Sequence, residues 1–178
     1  MEKMKFILIM LGIMIYSNSC NKDILSDDKL TLDKIPFTGN QLRIDGYYFQ
    51  KMDNSIFTIY FFYNDGTVLY GGGSFPISEI EDYEVEFTSE EWITSAKESK
   101  IRWGLFQIEG NRISFERWYP SSGGPLPAYI RTGEILNDTT FLINKSIRSD
   151  GSNEKELNET YHFKQFSPKP DSTNGFID

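Results

Sequence analysis

The sequence predicts a mainly β protein, folded as an antiparallel up-and-down barrel or a meander sandwich of about eight strands with one short helix. Strand-prone segments follow one another along the chain and are separated by turn signals at residues 64–66, 109–111 and 137–138. The chain also contains 14 Phe, 10 Tyr and 3 Trp. Large aromatic side chains in this number are able to fill the interior of such a fold.

Each strand is recognised from a run of β-branched, aromatic or alternating apolar residues. Strands are predicted over residues 41–52, 55–63, 67–70, 128–136, 139–147 and 159–166, with a further hairpin over 101–119. The segment 75–100 breaks this rhythm and is rich in glutamate. Ser89 suits a helix N-cap, which predicts the one helix near residues 90–98. Residues 120–127 (PSSGGPLP) predict a loop, because proline cannot complete a strand ladder.

The first twenty residues are unlike the rest of the chain. Lys3 and Lys5 precede an apolar run at residues 6–15, which is typical of a secretory signal and too short to span a bilayer. The polar residues 17–19 then lead into Cys20, the only cysteine of the chain. The segment resembles a bacterial lipoprotein signal, which implies cleavage before Cys20 and lipidation of its sulfur, with palmitate among the acyl chains. The alternative is an ordinary secreted protein with a free thiol.

Composition divides the chain into four parts. Residues 1–20 are the predicted signal peptide, and residues 21–40, which are polar and charged, are a predicted flexible tether. Residues 41–170 form the predicted β domain, and residues 171–178 are a tail. A lipoprotein of this kind is expected in the outer membrane, on its periplasmic face or at the cell surface.

The β domain resembles the small lipocalin-like lipoproteins of Bacteroidetes-type bacteria. The resemblance rests on the opening strand IDGYY, the hairpin IEGNRISFERWYP and the closing segment YHFKQFSPKPDS, and it covers residues 41–170. It implies a lipocalin-like barrel at the membrane surface. None of these segments is a catalytic signature, so the resemblance concerns the fold more than an activity.

A small eight-stranded barrel either fills with side chains or holds one small ligand. Seven aromatic residues are the candidates to line such a ligand cavity: Phe57, Phe61, Trp103, Phe115, Trp118, Tyr119 and Tyr129. The same residues also suit a packed core without a cavity. A third interpretation is that Trp118 and Tyr119, beside the 120–127 loop, stack on a sugar or contact a partner protein.

Several function classes are disfavoured by the sequence. The net charge of −8 disfavours a nucleic-acid-binding surface. His162 is the only histidine, and no nucleophile motif or metal-ligand spacing accompanies it, so neither catalysis nor a cofactor is expected. The sequence therefore predicts a non-catalytic, membrane-anchored lipoprotein that binds a small apolar ligand. The alternative is a structural or accessory envelope protein that contacts a protein or glycan partner.

Overall fold

The computed structural model describes residues 26–177, which form nine β-strands and two α-helices. The strands are β1 (Gly46–Met52), β2 (Ser55–Phe62), β3 (Thr67–Gly72), β4 (Phe75–Pro76), β5 (Trp103–Glu109), β6 (Arg112–Trp118), β7 (Ala128–Asn137), β8 (Thr140–Arg148) and β9 (Lys155–Gln165). The helices are α1 (Ile80–Phe87) and α2 (Glu90–Glu98), flanked by 3-10 turns at Ile77–Glu79 and Lys100–Arg102.

Eight of these strands close into a barrel. Their order is β1-β9-β8-β7-β6-β5-β3-β2, every neighbouring pair is antiparallel, and β1 pairs with β2 to complete the ring. The short β4 is an extra strand that pairs with β2 outside the ring. Closure leaves the eight barrel strands without a free edge. Of the two predicted architectures, the up-and-down, lipocalin-like barrel is therefore confirmed.

The turns predicted from the sequence connect consecutive barrel strands. Gly66 has a φ of +86°, a conformation that glycine adopts without a steric cost, and it precedes β3. The side chain of Asp65 accepts a hydrogen bond from the backbone N–H of Thr67 at 3.0 Å. Similar short turns join β5 to β6 and β7 to β8. Tight local turns are why the strands follow one another around the barrel in chain order.

Both helices pack on the outer face of the barrel. The predicted helix is confirmed as α2, and the Ser89 hydroxyl accepts a hydrogen bond from the N–H of Trp92 at 3.2 Å. The preceding helix α1 was not predicted. The helices and the barrel wall share an outer cluster of buried side chains, among them Tyr47, Ile59, Phe61, Leu69, Phe87, Trp92 and Trp103.

One end of the barrel interior is densely filled by apolar side chains. This closed end contains the turns before β3, between β5 and β6, and between β7 and β8. Its inner cluster includes Tyr48, Phe62, Phe106, Phe115 and Phe141, each no more than 1% exposed. The other end is called the mouth, and it carries the β6–β7 loop (residues 119–127) and the β8–β9 loop (residues 149–154).

The segment 27–37, called the strap, runs along the outer wall from the mouth to the closed end. Near the mouth, Asp28 binds Arg148 with two hydrogen bonds of 2.7 and 2.8 Å. At the closed end, the N–H of Phe37 donates to the carbonyl of Asn64 at 2.8 Å. The described part of the predicted tether therefore lies against the barrel, because its charged and backbone groups find partners there. Residues 21–25 of that tether lie outside the described residues.

The segment after β9 is also attached to the barrel. Lys169 donates hydrogen bonds to the carbonyl oxygens of Ile44 at 2.6 Å and Phe62 at 2.7 Å. In the predicted tail, Asp171 forms an ion pair with Lys97 at 2.8 Å, and residues 176–177 pack against the outer cluster. The two ends of the described chain thus help to hold the barrel wall.

Candidate functional site

The predicted cavity residues lie in five different places, and Cys20 lies outside the described residues. Tyr119 and Tyr129 meet at the mouth in an edge-to-face contact with ring centroids 5.4 Å apart. Phe115 lies below them in the inner cluster. The remaining four residues are elsewhere: Phe61 and Trp103 in the outer cluster, Phe57 half-exposed, and Trp118 against the strap. The structure therefore brings only Tyr119, Tyr129 and Phe115 toward the barrel interior.

Trp118 occupies a distinct surface site. Its Nε1–H donates to the carbonyl oxygen of Asp28 at 2.7 Å, and the Lys100 ammonium lies 4.3 Å from its ring centroid. With Leu105 and parts of the strap, it lines a surface groove of about 480 Å³. Trp118 is thus a contact between the barrel wall and the strap, on the opposite face of β6 from Phe115.

A buried arginine is the central feature of the mouth. Arg117 projects from β6 on the same face as Phe115, two residues away, because alternate residues of a strand share a face. It is only 6% exposed. Opposite it on β5 is Gly104, where a Cβ atom would lie 2.7 Å from the Cβ of Arg117. The absence of a side chain at Gly104 leaves room for the arginine inside the barrel.

The guanidinium of Arg117 is surrounded by tyrosine rings. It lies 3.8 Å from the ring centroid of Tyr119 and 4.2 Å from that of Tyr70. Its Nε donates a hydrogen bond to the hydroxyl of Tyr60 at 3.2 Å. Nη1 donates to the carbonyls of Ile101 and Trp118, each at 3.0 Å. Within the described residues, no carboxylate lies within 4 Å of this guanidinium.

A second arginine lies beside the first. Arg131 on β7 pairs in register with Phe115 and also points inward. It forms an ion pair with Glu159, and the hydroxyl of Tyr161 donates to the same carboxylate at 2.9 Å. Arg117, Arg131, Glu159 and the tyrosines that contact them are called the arginine layer. The side chains of Arg131 and Glu159 are 19% and 17% exposed, so this part of the layer reaches solvent.

Two polar atoms of this layer are shielded from solvent without a well-oriented hydrogen bond. They are Nε of Arg131 and the hydroxyl oxygen of Tyr119, which lies near the hydroxyl of Tyr60. Burial raises the pKa of Tyr119 and of Tyr161, so both hydroxyls stay protonated at neutral pH and remain able to donate. The layer is therefore rich in donors and holds two cationic groups against one carboxylate.

The mouth layer offers binding chemistry of a definite kind. Guanidinium groups and tyrosine hydroxyls donate hydrogen bonds, and the tyrosine rings supply apolar surface. Among residues 26–177, no three His, Cys, Asp or Glu side chains come together as ligands for a metal ion. The arrangement suits a small molecule that combines an apolar body with a hydrogen-bond acceptor.

The two arginines were not predicted, although the sequence contains a signal for them. Residues 113, 115 and 119 are apolar or aromatic at alternate positions of the hairpin strand, and strict alternation places Arg117 on the same face. In the same way Arg131 follows Tyr129 by two residues, and Glu159 precedes Tyr161 by two. A charged residue at an inward-facing strand position is the observation that would have marked the site.

Comparison with known proteins gives no further guide to the site. The chain matches no protein family model, no curated protein and no solved structure. Its function is therefore inferred from the chemistry of its own residues.

Proposed function

We propose that the protein is an outer-membrane lipoprotein, anchored through lipid on Cys20, whose barrel binds a small apolar molecule at its mouth. The observation that carries the binding proposal is the contrast between the two barrel ends. The closed end is filled by buried aromatic rings, whereas Tyr70, Tyr119 and Tyr129 at the mouth remain partly exposed. A ligand at the mouth would contact these rings and the arginine layer below them.

The path of the strap supports a link between the anchor and the mouth. The N–H of Asp28 donates to the carbonyl of Leu126, in the β6–β7 loop, at 2.9 Å. Cys20 is six residues before Ser26, and six residues span at most about 20 Å. A lipid on Cys20 would therefore hold the mouth, rather than the closed end, close to the membrane surface. Such a position would suit a ligand that partitions into the membrane. None of the helices within residues 26–177 has the length and hydropathy needed to cross a bilayer.

The anchor is tested by labelling cells with radioactive palmitate. The wild-type chain should incorporate the label, and Cys20→Ala should not, since the thiol is the site of attachment. Ser19→Ala is a matched control that keeps the thiol and should still be labelled. Label retained in Cys20→Ala would contradict the anchor.

The orientation is tested with the lipidated protein bound to vesicles. A fluorophore would be attached through a new cysteine at Ser122, in the β6–β7 loop, or at Asn111, between β5 and β6 at the closed end. A quencher on the lipid headgroups should reduce the fluorescence at Ser122 more strongly. Equal quenching at the two positions, or stronger quenching at Asn111, would contradict a membrane-facing mouth.

Ligand binding is tested by NMR on the chain from residue 20 onward, with Cys20→Ser to keep it free of lipid. Titration with decanol, a small apolar molecule, should shift the backbone signals of Tyr70, Tyr119 and Tyr129 in a saturable manner. Signals of the closed end, such as Gly110 and Asp138, should stay unchanged. If neither decanol nor any charged analogue gives saturable shifts at the mouth, the binding proposal is wrong.

A further inference from the structure

We propose that the mouth recognises the carboxylate of an amphiphilic molecule, through Arg117 and Arg131 with the hydroxyl of Tyr119. This inference rests on the proposed binding function and specifies its ligand class as an organic carboxylate with an apolar body. The apolar body would lie against the tyrosine rings at the rim, and the carboxylate would reach the arginine layer beneath them.

The arginine layer carries more positive than negative charge. Arg117 and Arg131 both project into the barrel, and the carboxylate within ion-pair distance of either is that of Glu159, bound to Arg131. A guanidinium does not lose its proton in proteins, so Arg117 stays charged although it is buried. A buried charge without a counter-charge is costly. An anionic ligand would supply the missing negative charge.

The arginine layer also contains buried hydrogen-bond donors that are poorly paired. The buried Nε of Arg131 has no hydrogen-bond partner among the described residues, and the buried hydroxyl of Tyr119 has only a poorly aligned contact with the hydroxyl of Tyr60. Nearly all buried polar groups in proteins are hydrogen-bonded, so each exception calls for a partner. Both atoms belong to side chains next to Arg117, whose guanidinium lies 3.8 Å from the Tyr119 ring, and both are able to donate. A ligand that supplies an acceptor would suit them.

A third observation is the local balance of charge inside the mouth. Arg117 and Arg131 both project inward, and among the described residues the carboxylate of Glu159 is the one within ion-pair distance of either. Burial raises the pKa of Tyr70, and the positive charges of Arg117, Arg102 and Arg131 oppose that rise. Such a local field favours an anion over a neutral ligand.

A purely structural role of Arg117 is the competing explanation. Two backbone carbonyls, one tyrosine hydroxyl and the faces of Tyr70 and Tyr119 already contact its guanidinium. Cation–π contacts of this kind stabilise a desolvated arginine. They do not explain the unpartnered Nε of Arg131, and they predict no preference between an acid and its alcohol.

The test compares decanoate with decanol, which share the alkyl chain and differ in charge, in the NMR titration described above. Decanoate should bind the mouth at least about tenfold more tightly, the range expected for a hydrogen bond to a charged group. In Arg117→Met the ratio of the affinity for decanoate to the affinity for decanol should fall below about threefold, because the guanidinium that would bind the carboxylate is removed. Arg112→Met, an exposed position at the other end of the same strand, should keep the wild-type ratio.

Each outcome has a distinct meaning. Equal affinities for decanoate and decanol at the mouth would overturn the carboxylate inference and leave the binding function standing, whereas no binding of either would overturn the function itself. Decanoate shifts confined to the groove beside Trp118 would also overturn the inference. If Arg117→Met does not fold, Tyr119→Phe provides the second variant. Tyr119→Phe should weaken the binding of decanoate by about threefold to tenfold and leave the binding of decanol unchanged, as expected for one lost hydrogen bond. Equal effects on the binding of both ligands would contradict the inference.

Discussion

The attachment of the strap depends on one buried carboxylate, and Glu116→Gln is the perturbation that tests it. Glu116 lies on the outer face of β6 and is 0% exposed. Its Oε2 accepts hydrogen bonds from the N–H groups of Thr31 at 2.7 Å and Leu32 at 2.8 Å. Its Oε1 accepts from the hydroxyls of Thr31, at 3.2 Å, and Ser149. Every group around this carboxylate is a donor.

Glutamine at this position would keep the shape and lose the negative charge. Its carbonyl oxygen would still accept from the two backbone N–H groups, and its NH₂ group would face the hydroxyls of Thr31 and Ser149, which are able to accept. A hydrogen bond to a charged group contributes about 1.5–3 kcal/mol and a neutral one about 0.5–1.5 kcal/mol. The expected loss, at about 1–1.5 kcal/mol for each of the two N–H groups, is therefore about 2–3 kcal/mol. Because the strap lies outside the strand ladder of the barrel, most of this loss should appear as local opening rather than global unfolding.

Amide hydrogen exchange measures that local opening directly. The N–H groups of Thr31 and Leu32 should exchange about 30-fold to 150-fold faster in Glu116→Gln, since each 1.4 kcal/mol is a factor of ten. Glu134→Gln, at an exposed position on the neighbouring β7, is the matched control and should change neither rate. Unchanged exchange of Thr31 and Leu32 in Glu116→Gln would refute the role assigned to this carboxylate.

Three further predictions concern stability. Phe62→Ala should lower the free energy of unfolding by about 3–5 kcal/mol in urea titrations, whereas Phe57→Ala, at a half-exposed position, should change it by less than about 0.5 kcal/mol. The hydrogen bond from Arg148 lowers the pKa of Asp28. The ion pair by which this carboxylate attaches the strap to the barrel should therefore be lost as the pH falls below 3.8, with faster amide exchange in the strap. Burial lowers the pKa of Lys169 to about 8 in the folded protein, so above that pH the unfolded chain binds more protons than the folded chain. The free energy of unfolding should therefore rise from pH 8 to 9.5. Lys169→Met should abolish this rise.

The barrel was predictable because its signals are local. The turn at residues 64–66 and the alternating strands on either side of it specify a hairpin from a few consecutive residues. The same is true of α2, which begins at the capping residue Ser89. Helix α1 gives no such signal, because Glu79 at its N-cap makes no side-chain hydrogen bond to the first turn. Its position depends instead on Phe87 packing into the outer cluster.

The strap could not be predicted because its partners are distant in sequence. Asp28 is separated from Arg148 by 120 residues, and Thr31 from Glu116 by 85. A polar, charged segment with few apolar residues has the composition of a flexible linker. Only the folded barrel brings the complementary charges and acceptors within reach of the segment.

The candidate site was predicted in part. Aromatic residues near the 120–127 loop were expected, and Tyr119 and Tyr129 do lie at the mouth. Trp118 was also expected there, but alternation along β6 places it on the outer face. Arg117 was not predicted, because a buried arginine without a carboxylate is rare and composition gives no indication of one.

The binding of an amphiphilic carboxylate at the mouth is tested most directly by a crystal structure of the unlipidated chain with saturating decanoate. The expected result is carboxylate density within hydrogen-bond distance, about 3 Å, of Arg117 or Arg131 and of the Tyr119 hydroxyl. The alkyl chain should lie against Tyr70 and Tyr129. A mouth that stays free of decanoate at saturation, or decanoate bound only outside the arginine layer, would contradict the assignment of this site.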